Sequence, residues 1–111
     1  MTSKATVTDL GLLVEDLLRQ ATTHHSNRAA STLLFGPSMR ATAIALTEGA
    51  ELAEHESPPA ASLQVLTGTV RLHSGAHEWV LSTGQLVAIP STRHGVTAIT
   101  DAVVLLTVTL T

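Results

Sequence analysis

The chain has 111 residues, 44% of them hydrophobic and 14% charged, with a formal net charge of −3. Its length and hydrophobic content predict a single folded domain with one packed core. Its 6 Lys and Arg residues are scattered and it has no cysteine, which excludes a basic nucleic-acid surface, disulfides and thiolate chemistry. No apolar run is long enough to span a bilayer, and acidic residues interrupt the N-terminal leucine-rich stretch, unlike a secretory signal. We therefore expect a cytoplasmic protein without nucleic-acid or membrane partners.

The first predicted element is an amphipathic helix. Its apolar residues follow the spacing of one helical face: Leu10, Leu13, Val14, Leu17, Leu18 and Ala21. Asp9 is a suitable N-cap, and the helix is expected to end between residues 22 and 25. We therefore divide the chain into a helical extension, residues 1–28, and a β-rich remainder, residues 29–111. One helix cannot bury such a stripe alone, so it must pack on a sheet, over a barrel mouth or against a partner chain.

Beyond residue 30 the apolar pattern changes to a period of two, which is typical of strands. Valine and threonine are frequent there, and both favour pleated strands. Turn residues, mostly glycine and proline, separate the short segments. The predicted strands are 31–35, 40–46, 62–67, 69–73, 78–81, 86–89, 95–99 and 103–109. About eight short strands at regular spacing predict an all-β fold, closed or built from two antiparallel sheets.

Two segments carry a resemblance to a known family. Residues 49–68 begin and end with glycine around His55, and residues 84–94 run from glycine through Pro90 to His94. In order and spacing they resemble the two signature motifs of the cupin superfamily, and the flanking LQVLTGTVRL is similar to that family's strand–turn–strand. The resemblance spans residues 38–109. It implies a jelly-roll barrel of about eight strands, here with one N-terminal helix, and a homodimer.

The resemblance also implies a metal site made by two His, a carboxylate and a last His. His55 matches the first of these ligands and His94 the last, whereas Ser57 and Ala61 stand where the second His and the carboxylate would be. Because two imidazoles alone hold a divalent metal weakly, we expect no cofactor. A weakly held divalent transition metal on His55 and His94 stays open as the alternative.

Neighbouring residues are not expected to replace the missing ligands. Side chains alternate between the two faces of a strand. Glu54 and Glu56 should therefore point away from the face of His55, and Gln64 from the face of Ala61.

Three functions remain open. The first is binding of a small molecule, with His55, Ser57 and His94 as the polar contacts in an otherwise aliphatic pocket. The second is a lyase, isomerase or cyclase in which His55 or His94 acts as the acid or base, or in which a weakly bound metal takes part. The third is a structural or partner-binding barrel that docks through its helix.

Other charged residues have simpler explanations. His73 and His77 flank a tight turn, where they form either a cross-strand metal-binding pair or solvated hairpin surface, and we favour the latter. Arg40 and Arg71 lie within strands, where either could hold a carboxylate or phosphate, although a surface position is expected for each.

Overall fold

The computed structural model describes residues 6–55 and 58–110, with only the backbone of His55. Its elements are α1 Leu10–Thr23, β1 Arg28–Phe35, β2 Met39–Leu46, β3 Glu51–His55, β4 Ala61–Thr67, β5 Thr69–Ser74, β6 His77–Ser82, β7 Leu86–Ala88, β8 His94–Ala98 and β9 Ala102–Thr109. The predicted all-β fold with one N-terminal helix is confirmed. The described ranges hold one strand more than the eight predicted, namely β3. Its sequence ELAEH is rich in Glu and Ala, which are poor strand formers, so pairing with β8 rather than local propensity makes it a strand.

The strands form two antiparallel sheets. One has the order β1-β2-β9-β4-β7 and the other the order β3-β8-β5-β6. The main core lies between them, and its buried residues are Ile44, Leu46, Leu63, Val65, Val70, Leu72, Leu81, Val96, Ala98, Ala102 and Val104. Two packed antiparallel sheets with such an aliphatic interior are the jelly-roll arrangement. We call the faces that meet in this core the inner faces.

The helix packs on the outer face of the five-stranded sheet. Leu17 and Ala21 are 2% and 0% exposed and lie against Ala43, Ala45 and Val103. The helix thus buries its stripe on a sheet and does not cover a barrel mouth. The Asp9 side chain accepts a hydrogen bond from the backbone N–H of Leu12, which confirms the predicted N-cap.

The two ends of the barrel differ in how far the inner face is buried. At one end Leu46, Val65 and Val104 are each 0% exposed, so this end is closed. At the other end Thr42 and Leu106, which pair with each other on the inner face, are only partly buried. The connections β3–β4 and β7–β8 cross between the sheets at this second end, which we call the open end. We call the space between the two inner faces at the open end the cup.

No helix within residues 6–55 and 58–110 has the length and apolarity needed to cross a membrane.

Candidate functional site

His94 lies at the open end, at the first position of β8. It alternates with Val96 and Ala98, which belong to the core, so its side chain lies on the inner face. The residue is 1% exposed. Its Nδ1 donates a hydrogen bond to the Thr92 carbonyl at 3.0 Å, which selects the tautomer of the neutral ring in which Nε2 carries the lone pair.

The backbone of His55 is paired directly with that of His94. This pair ends the ladder between β3 and β8, and an irregularity in β3 lies between Leu52 and His55. The fold thus brings together the backbones of the two histidines that the sequence singled out. The His55 side chain and the whole of Ser57 lie outside the described residues, so their roles stay predictions.

The position corresponding to the family's carboxylate offers no metal ligand. Ala61 pairs with Val108 and shares the inner face with Leu63 and Val65. Gln64 alternates with those two core residues, so it lies on the opposite face, as predicted. Among the residues whose side chains are described, no three His, Asp or Glu groups converge as a metal site. Neither Ala61 nor Gln64 therefore supplies a metal ligand to the inner face.

The nearest described carboxylate is engaged on the outer face. Glu54 lies 3.6 Å from Nδ1 of His73 and 3.6 Å from Nε of Arg93 through its two side-chain oxygens. His73 alternates with the buried Leu72 and Ser74, and its ring lies over Gly95 on the outer side of the sheet. Glu54 therefore lies on the outer face, while its predicted orientation relative to the side chain of His55 stays a prediction. Glu56 lies outside the described residues.

A hydroxyl pair that the sequence analysis missed supports the His94 backbone. Ser74 is 5% exposed, and its Oγ donates to the Arg93 carbonyl at 2.8 Å and contacts Oγ1 of Thr92. These contacts tie the end of β5 to the segment that leads into His94. The signal was the alternation of Ser74 with Val70 and Leu72, which places it on the inner face.

The hairpin histidines are not a cross-strand pair. In the ladder between β5 and β6, His73 pairs with Glu78 and Ser74 pairs with His77. The two histidines are thus one position out of register and face opposite sides. His77 is exposed, as expected of hairpin surface.

The two arginines within strands differ in their faces. Arg71 lies on the outer face, where its Nη1 is 3.6 Å from Glu78, and the expected surface position is right for it. Arg40 alternates on β2 with the core residues Ile44 and Leu46, and the pairing of β2 with β9 has no irregularity. The surface position expected for Arg40 is therefore wrong, because it lies on the inner face at the open end.

Comparison with known proteins agrees with this geometry. A conserved protein of unknown function from Streptococcus pyogenes superposes with a TM-score of 0.73 at 22% identity, over 97% of this chain and 90% of its own. A cupin superfamily protein from Desulfitobacterium hafniense gives a TM-score of 0.71 at 12% identity, over 76% and 78%. Salicylate 1,2-dioxygenase from Pseudaminobacter salicylatoxidans gives 0.71 at 16%, over 86% of this chain and 32% of its own.

In sequence, no protein-family model and no curated protein matches the chain. The structural likeness nonetheless defines the architecture, and the chain has the cupin fold.

Proposed function

We propose that this protein binds a small molecule in its cup, with His55, Ser57 and His94 as the polar contacts. The observation that carries the proposal is the placement of His94. It is 1% exposed, its tautomer is fixed by the Thr92 carbonyl, and it shares the inner face with an aliphatic core. An apolar pocket with few oriented polar groups is the usual form of a ligand site.

A binding role fits this donor set better than metal-dependent catalysis. Ala61 supplies no donor atom, and Gln64 lies on the wrong face to replace it. The imidazole of His94 is instead suited to hydrogen bonding, since its Nε2 accepts in the neutral form. We therefore propose a cupin whose metal site is degenerate.

The direct test is histidine NMR on protein purified without a polyhistidine tag. The probe is a set of small aliphatic and polar fragments, and the readout is the ring nitrogen signals of each histidine. We expect fragments to shift His94 and to leave His25, which is exposed just beyond the end of α1, unchanged. A His94→Gln variant should lose the binding, whereas a His25→Gln variant should keep it. Fragments that bind without moving His94 would contradict the proposal.

Metal analysis of the same untagged protein distinguishes the proposed metal-free binding protein from a metalloprotein. We expect less than one equivalent of bound transition metal. A stoichiometric metal that disappears in the His55→Ala/His94→Ala double variant would reverse our ranking and favour a metalloenzyme.

An acid–base enzyme is the second candidate, favoured by the tautomer of His94. Donation from Nδ1 to the Thr92 carbonyl orients the ring, and a neutral imidazole can exchange a proton through its other nitrogen. Incubation of each bound fragment with the protein, followed by proton NMR, distinguishes turnover from binding. Conversion that is lost in His94→Gln would support the enzyme.

A homodimer in the cytoplasm remains our proposal for assembly and location. It rests on the unpaired sheet edges, of which β6 carries Val80 at 60% exposure. Docking through the helix is disfavoured because Leu17 and Ala21 are already buried against the sheet. Light scattering should give twice the chain mass, and Val80→Lys should lower it; a monomeric parent protein would contradict the proposal.

A further inference from the structure

Arg40 occupies an unusual position for a charged residue in this fold. It lies at the open end of β2, on the inner face, two positions from Thr42 on the same side. Val108 pairs with Arg40 on one side and with Ala61 on the other. Arg40 and Ala61 are therefore members of one row across the inner face, two strands apart or roughly 10 Å.

The guanidinium of Arg40 forms no hydrogen bond or ion pair with the described residues. Its Nε is buried and has no hydrogen-bond acceptor within residues 6–55 and 58–110, and no carboxylate in those ranges forms an ion pair with it. A buried donor of a charged group without an acceptor is costly.

An aromatic side chain holds the guanidinium in place. Cζ of Arg40 lies 5.0 Å from the ring centroid of Phe35, the residue with which Arg40 pairs across β1 and β2. Stacking on a ring fixes the guanidinium plane and leaves its N–H edge available to hydrogen-bond a planar anion. Phe35 itself remains 77% exposed, so burial of its ring does not explain the contact with Arg40.

Arg71 provides the internal comparison. It too lies within a strand and has a buried Nε without an acceptor among the described residues. Its guanidinium, however, has Glu78 at 3.6 Å on the outer face. The difference between the two arginines is that Arg40, which faces the cup, forms no ion pair with a described carboxylate.

We infer that Arg40 binds the carboxylate of a small organic acid whose remaining atoms lie in the cup near His94. The inference rests on the proposed function and names the class of its ligand. Arginine binds a carboxylate through two parallel hydrogen bonds, which the two Nη groups of Arg40 would donate, and the carboxylate would supply a counter-charge that no described residue provides. Because packed sheets lie about 10 Å apart, a small ligand can contact Arg40 on one sheet and His94 on the other.

The charge at the open end favours a monocarboxylate over a phosphate. Arg40 is the one Arg or Lys on the described part of the inner face at this end, and no Asp or Glu lies there. One fixed cation balances one negative charge, whereas a phosphate dianion is more strongly hydrated and needs more donors. The neighbouring side chains are aliphatic, including Val108 and Leu106, and suit a hydrocarbon remainder.

The test compares two probes of one shape in three proteins. Isobutyrate and its neutral isostere isobutyramide are titrated at millimolar concentrations into the parent protein, Arg40→Gln and Arg71→Gln. Inorganic phosphate is titrated in parallel as a second anion. Arginine Nε–H and histidine ring signals are followed by NMR, and circular dichroism checks that each variant is folded. Arg40→Lys is a further variant that keeps the charge but loses the two-pronged geometry.

We expect isobutyrate to shift the Arg40 and His94 signals and to bind at least about tenfold more tightly than isobutyramide. Arg40→Gln should weaken isobutyrate binding by about tenfold or more. Arg40→Lys should weaken it less, and Arg71→Gln should leave it within about twofold.

Each contrary result has one meaning. Equal binding of acid and amide, or equal effects of the two Arg→Gln variants, overturns the role of Arg40 but leaves the proposed cup intact if His94 still responds. Isobutyrate binding that depends on Arg40 but never moves His94 supports the anion site and contradicts the proposed function. Inorganic phosphate that binds where isobutyrate does not overturns the carboxylate assignment, as does a complete lack of isobutyrate binding.

Discussion

Two motif glycines with the same backbone conformation allow one steric effect to be isolated. Gly68 has φ +89° and Gly84 has φ +85°, both in the left-handed region that favours glycine. A Cβ at Gly84 would meet nothing within 4 Å. A Cβ at Gly68 would lie 2.2 Å from the Asp101 carbonyl oxygen and 2.8 Å from Cα of Ala102. Alanine therefore meets the same conformational penalty at both positions but clashes only at Gly68.

The magnitude follows from those contacts. An alanine in the left-handed region costs about 1–2 kcal/mol, which is the whole effect expected of Gly84→Ala. At Gly68 the clash is with backbone at the start of β9, where Ala102 is 0% exposed and pairs with Leu46. Such overpacking adds about 1–3 kcal/mol, so Gly68→Ala should lower the free energy of unfolding by about 2–5 kcal/mol.

The assay is urea unfolding followed by circular dichroism and by the fluorescence of the single tryptophan, Trp79, which is 37% exposed. If the unfolding free energy of the two variants depends on urea concentration with the same slope, the difference between their urea midpoints reports the difference in stability. Equal losses for Gly68→Ala and Gly84→Ala would refute the steric reasoning, because the close approach of β9 to Gly68 would then have no energetic consequence.

Three further stability measurements check the packing and capping described above. Leu17→Ala should cost about 2–5 kcal/mol of unfolding free energy, because Leu17 is 2% exposed under the sheet; Leu12→Ala, at 70% exposure, should change it by less than about 0.5 kcal/mol. Asp9→Ala should cost about 1 kcal/mol whereas Asp9→Ser keeps the cap, and equal losses would count against capping by the side chain. Ser74→Ala should cost about 1–2 kcal/mol and broaden the His94 ring signal, because it removes the hydroxyl that holds the Thr92–Arg93 segment; a sharp, unshifted His94 signal would argue against that support.

The helix and most strands could be predicted because their signals are local. An apolar stripe with a side-chain cap specifies α1, and its bounds differ from the prediction by no more than the fraying expected at a helix end. The strand β3 could not be predicted in this way. Its polar sequence is extended only because β8 supplies a partner on one side, which is a contact distant in sequence.

The candidate site also has a part that the sequence predicts and a part that depends on contacts distant in sequence. The order and spacing of the glycines and histidines identified the cupin-like motifs, and the pairing of His55 with His94 in the fold agrees with them. Hydroxyl contacts such as that of Ser74 with the Arg93 carbonyl escaped notice, because serine in a hairpin is equally common at the surface.

The sequence by itself determined the helix, eight of the nine described strands and the aliphatic core. Which side of β2 faces the cup was decided only by the tertiary structure. The consecutive residues Ala43 and Ile44 point to opposite faces of β2 and are both buried, Ala43 under the helix and Ile44 in the core. Because both faces carry apolar residues, hydrophobic alternation cannot tell which face is the inner one. Packing of α1 on one side of the sheet makes that side the outer one, and this places Arg40 on the inner face.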